Sequence, residues 1–138
     1  MNYPRLLAAA VAATIGDVVY GLLVYGTLMA PEFAKYPNVY RAADVSAQFL
    51  PYMFAGIFVA MIAAAAIYSR GYTGGSGLSE GLRFGLLLGV LAAFFFAGVS
   101  YGTLNLNKKL AGMLACAGFV EWTLAGTLIG LVYKPAKV

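Results

Sequence analysis

Apolar residues fall into four long blocks, at 5–29, 49–68, 82–104 and 110–133, separated by three polar stretches. Each block is close to the ~20 residues that an α-helix needs to cross a hydrocarbon core about 30 Å thick. The pattern predicts an all-α chain, a bundle of four transmembrane helices forming one domain over residues 1–138. Four crossings put both termini on the same side. The opening, with Arg5 followed by small residues, has the outline of a signal peptide, but its apolar run exceeds the 7–15 residues of a signal core and reads as a retained helix.

The connections differ in character. Residues 30–48 are the longest polar stretch and mix Pro31, Glu32, Lys35, Pro37, Arg41 and Asp44 with Phe33, Tyr36 and Tyr40. Aromatics among charges suit the headgroup level, where a tyrosine ring stays in apolar surroundings and its hydroxyl in water, and a short surface helix is expected there. The second connection, 69–81, is a flexible Gly/Ser turn in which Ser79 is expected to cap the third helix and Glu80 to lie in its first turn. It lacks the Lys-Ser/Thr pair of a phosphate-binding loop. The third, 105–109, is short enough to force an antiparallel helical hairpin. Pro135 ends the last helix.

Composition sharpens this picture. The sequence is 62% hydrophobic and 10% charged, where soluble domains carry about 25% charged residues. Lipid is the matching solvent. The net charge of +4 comes from nine basic and five acidic residues scattered over termini and loops. No basic stripe interleaved with exposed aromatics is present, so nucleic acid is excluded as a partner and anionic headgroups account for the charge. Lys and Arg number five on the side of the termini (Arg5, Arg70, Arg83, Lys134, Lys137) against four on the other (Lys35, Arg41, Lys108, Lys109), a slight bias toward cytoplasmic termini.

Histidine is absent and Cys116 is the single cysteine, which excludes a histidine-ligated haem, pigment or zinc site built from this chain alone. No cofactor is expected beyond bound lipid. Cys116 lies in an apolar run, where a buried inert thiol is the ordinary expectation.

Small residues recur every fourth position in the third block, at Gly81, Gly85, Gly89, Ala93 and Ala97, with Gly98 and Gly102 on a neighbouring line. Gly56, Ala60 and Ala64 repeat the pattern in the second block, and Gly118, Gly126 and Gly130 supply small faces in the fourth. In lipid such stripes drive association by letting backbones approach, here within the chain, with other subunits or with copies of itself. Phe94, Phe95 and Phe96 read as lipid-facing bulk or as the wall of a groove. Tyr-Gly-Thr-Leu occurs at Tyr25 and again at Tyr101, which would make the chain two hairpins related in parallel; chance similarity in a low-diversity sequence explains it equally.

Two acidic residues sit near the middle of predicted spans, Asp17 and Glu121. A charge at the bilayer centre costs at least ~2.5 kcal/mol, so such groups face the bundle interior, pair, or carry a proton. No basic residue lies at their depth. Tyr20 and Thr14 flank Asp17 on one helix face, and Trp122 and Thr123 flank Glu121. The pair is either a proton or cation site or a set of interhelical hydrogen bonds that fixes register.

The run Val18-Val19-Tyr20-Gly21, the Tyr-rich outer segment, the Gly/Ser turn and the closing stretch 121–135 (Glu-Trp-Thr-Leu-Ala-Gly-Thr-Leu-Ile-Gly-Leu-Val-Tyr-Lys-Pro) resemble small four-helix bacterial membrane proteins grouped as a domain of unknown function. The resemblance implies a bacterial cytoplasmic membrane and supplies no catalytic residues. The leading expectation is a structural or accessory subunit of a larger membrane complex, such as a photosynthetic or respiratory one, or a homo-oligomer. The alternative is a minimal transporter or channel for protons, cations or a small solute. No nucleophile or metal set for an enzyme can be assembled.

Overall fold

A computed structural model describes residues 1–134; the expected helix stop at Pro135 and the charge of Lys137 lie outside the described residues. Four long helices dominate: α1 (Tyr3–Leu23), continued by a π-turn over Val24–Leu28, then α2 (Leu50–Gly71), α3 (Gly77–Thr103) and α4 (Lys108–Val132). Each is long and apolar enough to cross a membrane. The chain is a small multi-pass membrane protein, an all-α bundle of four helices.

The ends of the helices follow capping chemistry. Asn2 accepts the Arg5 amide at 3.3 Å and Pro4 occupies the first turn of α1, where a missing N–H costs nothing. Asn107 caps α4 by accepting the Leu110 amide at 2.8 Å. Ser79 does not cap α3. The helix begins at Gly77, and Glu80 in its first turn reaches back to accept from the Thr73 hydroxyl at 2.6 Å and the Gly75 amide at 2.6 Å. A carboxylate that satisfies the loop makes an extra helical turn possible, so α3 starts earlier than the apolar pattern indicates. Gly74 holds φ +94° in that loop, a backbone conformation that suits glycine.

The helices do not form a closed square. α4 is the hub: it packs most closely on α3, also on α1, and lightly on α2, while α2 leans on α1. Leu6, Ala9, Ala10 and Ala13 form the buried face of α1, at three- and four-residue spacing, and meet Met61, Ala64, Ala65 and Tyr68 of α2. At the end that carries the N-terminus, Tyr68, Tyr72, Phe84 and Tyr133 close the bundle as a ring cluster. α2 and α3 touch little beyond the Tyr68–Phe84 ring contact.

The α3–α4 seam is built from backbone. A Cβ at Gly81 would lie 2.8 Å from Gly130 Cα and 2.9 Å from Gly126 O, and one at Gly89 would lie 2.6 Å from Phe119 O. Gly85, Gly126 and Gly130 are closer still, against the backbones of Thr123, Gly85 and Gly77. Side chains at these positions would push the helices apart. Gly56, Gly98 and Gly102 sit differently: nothing lies within 4 Å of the position a Cβ would take, so among the described residues they pack no helix of this chain.

Other positions depart from expectation for the same geometric reason. Cys116 is exposed on the outer face of α4, because a four-helix layer this thin leaves most of each helix facing outward. Phe94, 79% exposed, and its neighbour Phe95 face outward, in keeping with the lipid-facing bulk expected of them. The outer segment holds two short helices, Ala30–Phe33 and Ala43–Ser46, and a 3₁₀ turn, Ala47–Phe49. Of the two Tyr-Gly-Thr-Leu runs, the first lies in the π-turn and the second ends α3; both threonines bond back to the carbonyl four residues earlier, Thr103 to Val99 at 2.7 Å and Thr27 to Leu23. The hairpins themselves are unlike, one sealed by glycine and the other by alanine.

Gly126→Val is expected to cost about 1–3 kcal/mol or more through forced separation of α3 and α4. Gly98→Ala, on an open face, should stay within about 0.5 kcal/mol of the native chain. Thermal unfolding followed by circular dichroism in detergent compares the two directly.

Candidate intramembrane carboxyl site

Asp17 occupies the same buried stripe of α1 as Leu6, Ala10 and Ala13, a position that the pattern assigns to core. It is 8% exposed. Glu121 lies half-buried on the facing side of α4. Counting 1.5 Å per residue, with the π-turn to Leu28 included in the first span, puts Asp17 and Glu121 each about 20 Å from one end of their spans and about 16 Å from the other, close to mid-span. α1 and α4 run antiparallel, so two mid-span residues on facing sides come to the same depth.

They do meet. The Asp17 and Glu121 carboxyls lie within hydrogen-bonding reach of each other. Gly16, next to Asp17, permits the approach: a Cβ there would collide with the Leu128 side chain of α4. Tyr25 donates its hydroxyl to Glu121 Oε2 at 2.8 Å, and Tyr20 donates to the Ala117 carbonyl, one turn below Glu121, at 2.9 Å. The two tyrosine rings pack edge to face at 6.2 Å. Asp17, Tyr20, Tyr25 and Glu121 thus form one polar cluster across the α1–α4 interface.

The other expected partners are engaged elsewhere. Thr14 donates to the Ala10 carbonyl at 2.8 Å and Thr123 to Phe119 at 2.7 Å, each within its own helix. Trp122 turns to a groove beside Glu121. Tyr25 is the residue that the sequence did not single out. Eight residues from Asp17, a regular helix would carry it about 80° round the axis. Tyr25 stands in the π-turn at Val24–Leu28, closed by the Met29 amide on the Val24 carbonyl at 2.8 Å, and from there its hydroxyl reaches Glu121. Such turns concentrate at functional sites.

Two grooves adjoin the cluster. A small cavity of about 150 Å³ lies between α1, α3 and α4, lined by Glu121, Tyr25, Trp122 and Phe96 among small residues. A larger one of about 620 Å³ lies under the outer segment, bordered by Phe33, Tyr40, Arg41 and Leu50. It is the roomier of the two but stands away from the acids. Tyr25 lines both, so its ring is the partition between the headgroup-level groove and Glu121.

A second carboxylate, absent from the expected site, fastens the outer segment. Glu32 is 7% exposed and its Oε2 accepts from Lys35 at 2.8 Å and from Lys109 of α4 at 2.9 Å. The Tyr36 hydroxyl accepts from the Asn107 amide at 3.3 Å. Met29, Leu106 and Leu110 are buried beneath as a second small core. These contacts fold residues 30–40 over the start of α4. Arg41 lies over the Phe49 ring at 4.1 Å.

Hydrogen bonds from Lys35 and then Lys109 hold the Glu32 carboxyl below the ordinary value of 4.5. A carboxyl with a depressed folded pKa stabilises the fold above 4.5, and that contribution is lost as the pH falls below it. Amides of residues 35–40 should therefore lose protection, relative to their intrinsic exchange rate at each pH, as the pH falls below that value, and Glu32→Gln should show the same loss of protection at neutral pH. No family model, curated protein or solved structure matches the chain.

Proposed function

We propose that this chain is a minimal carrier or channel element that takes up a proton or small cation at the paired carboxyls of Asp17 and Glu121. The supporting observation is the meeting of two acids at mid-span with tyrosine hydroxyls and without a basic partner: among the described residues the salt bridges fall on Glu32 alone. Two negative charges side by side in hydrocarbon are not tolerated. A shared proton or a bound cation relieves them, and loss of that ligand changes the energy of the α1–α4 contact. Coupling between occupancy and helix packing is what transport requires.

Tyr25 supplies the access route. Its ring separates the outer groove from Glu121, and it stands on a π-turn, a segment with fewer regular helical bonds than its neighbours. Swinging the ring would join the headgroup-level groove to the acids. The bacterial cytoplasmic membrane with both termini inside is the location we assign, on the family resemblance and the excess of Lys and Arg on the terminal side.

A second reading makes the chain an accessory subunit or homo-oligomer, with the acids as register-fixing hydrogen bonds. Gly56, Gly98 and Gly102 favour it, as small residues with no neighbour within 4 Å of a Cβ position among the described residues.

Reconstituted in liposomes with an internal pH dye, the chain is expected to carry protons down an imposed gradient. Asp17→Asn or Glu121→Gln should weaken uptake by roughly 10- to 100-fold, the worth of a hydrogen bond to a charged group. Native flux unchanged in both variants, with assembly intact, would refute the carrier reading. The mass of the gently extracted particle tests the other: a large particle of defined composition is expected for a subunit, and a lone monomer rules it out.

A further inference from the structure

We infer that the small groove beside Glu121 binds the head of an organic ammonium ion, a substituted amine or quaternary ammonium, in preference to an inorganic cation. The inference rests on the reading of Glu121 as a charge-binding group and names the chemistry of its ligand.

Three aromatic side chains, Tyr25, Phe96 and Trp122, line this cavity together with one carboxylate. Ring faces attract cations through their quadrupole, and the attraction grows when the site is shielded from water. The carboxylate adds the charge that balances the ligand. Ala92, Ala97, Leu114 and Gly118 leave room without adding polar side chains, and Ser100 adds one hydroxyl. An anion would meet the carboxylate, and a neutral solute would gain nothing from it.

Divalent metal ions fit this cavity poorly. Calcium demands six to eight oxygen ligands and magnesium a complete octahedron. The cavity offers one carboxylate, the hydroxyl of Ser100 and the Tyr25 hydroxyl, which already donates to Glu121. Among the described residues no cluster of three or more His, Cys, Asp or Glu could hold a metal. An alkylated ammonium needs no oxygen cage, because its alkyl groups present an apolar surface to the rings.

Size and position narrow the ligand further. At about 150 Å³ the cavity is well below the ~300–1,000 Å³ of pockets that enclose drug-sized ligands. It takes a head group, and any tail must leave it. Phe96, 58% exposed on the outer face of α3, stands at the mouth, so a tail would run outward into lipid.

Trp122 is the single tryptophan of the chain, so its intrinsic fluorescence reports on this groove without a label. Choline and its neutral isostere 3,3-dimethylbutan-1-ol would be titrated into the purified chain in detergent at constant ionic strength, with potassium chloride as the inorganic control. Saturable quenching by choline alone is expected, weakened at least about tenfold in Glu121→Gln, as for loss of a charged partner. Phe96→Ala, at a position outside the core, should weaken choline severalfold while leaving the helical spectrum unchanged. No saturable change with choline, or an equal response to the neutral isostere or to potassium, would overturn the inference. Proton flux that depends on Glu121 without choline quenching leaves the carrier reading standing and removes this one. Choline quenching without flux does the reverse.

Discussion

In lipid, a helix gains nothing by hiding apolar surface from its surroundings, so two spans adhere only through what close approach provides. α3 and α4 approach until glycine meets glycine, with Gly81 and Gly85 set against Gly126 and Gly130. That backbone contact makes α4 the centre of the molecule. With one side of α4 sealed against α3, its other side is left for α1, and the positions of Glu121 and Asp17 follow from the pairing. A bulky residue in the seam would tilt α4 and separate the acids without touching either.

Around this seam the chain spends few side chains on its own packing. α1 and α2 join through alanines, the ring cluster of Tyr68, Tyr72, Phe84 and Tyr133 closes one end, and Glu32 with its two lysines closes the other. Between the closures the outer halves of α2 and α3 stand apart. One groove lies under the outer segment and the other between α3 and α4, and Tyr25 lines both. The irregular features of the fold, the π-turn and the folded-back outer segment, both occur at this end. Regular helices carry the bundle and irregular backbone shapes the site.

The carboxyl cluster is a local conflict that the fold tolerates. Asp17 sits where a small apolar residue would pack better, and its neighbours Leu6, Ala9, Ala10 and Ala13 show what such a stripe ordinarily contains. Tyrosine hydroxyls offset part of that cost by donating to Glu121 and to the Ala117 carbonyl.

By itself the sequence determined the number of spans, their approximate bounds, the shared side of the termini and the depth of Asp17 and Glu121. Length and hydropathy act residue by residue and are independent of what each helix touches. It also carried the glycine stripe of α3, since a four-residue period survives in any straight helix. Only the tertiary structure decided which glycines pack and which, like Gly56, Gly98 and Gly102, face outward, because that depends on how each helix is rotated toward its neighbours. It likewise decided that Tyr25 reaches Glu121 across the α1–α4 interface, 96 positions away along the chain, and that a π-turn, which leaves no mark in composition, carries it. Glu32 belongs with it: its ion pair with Lys109 spans 77 positions of the chain, a distance over which no local pattern informs one residue of another.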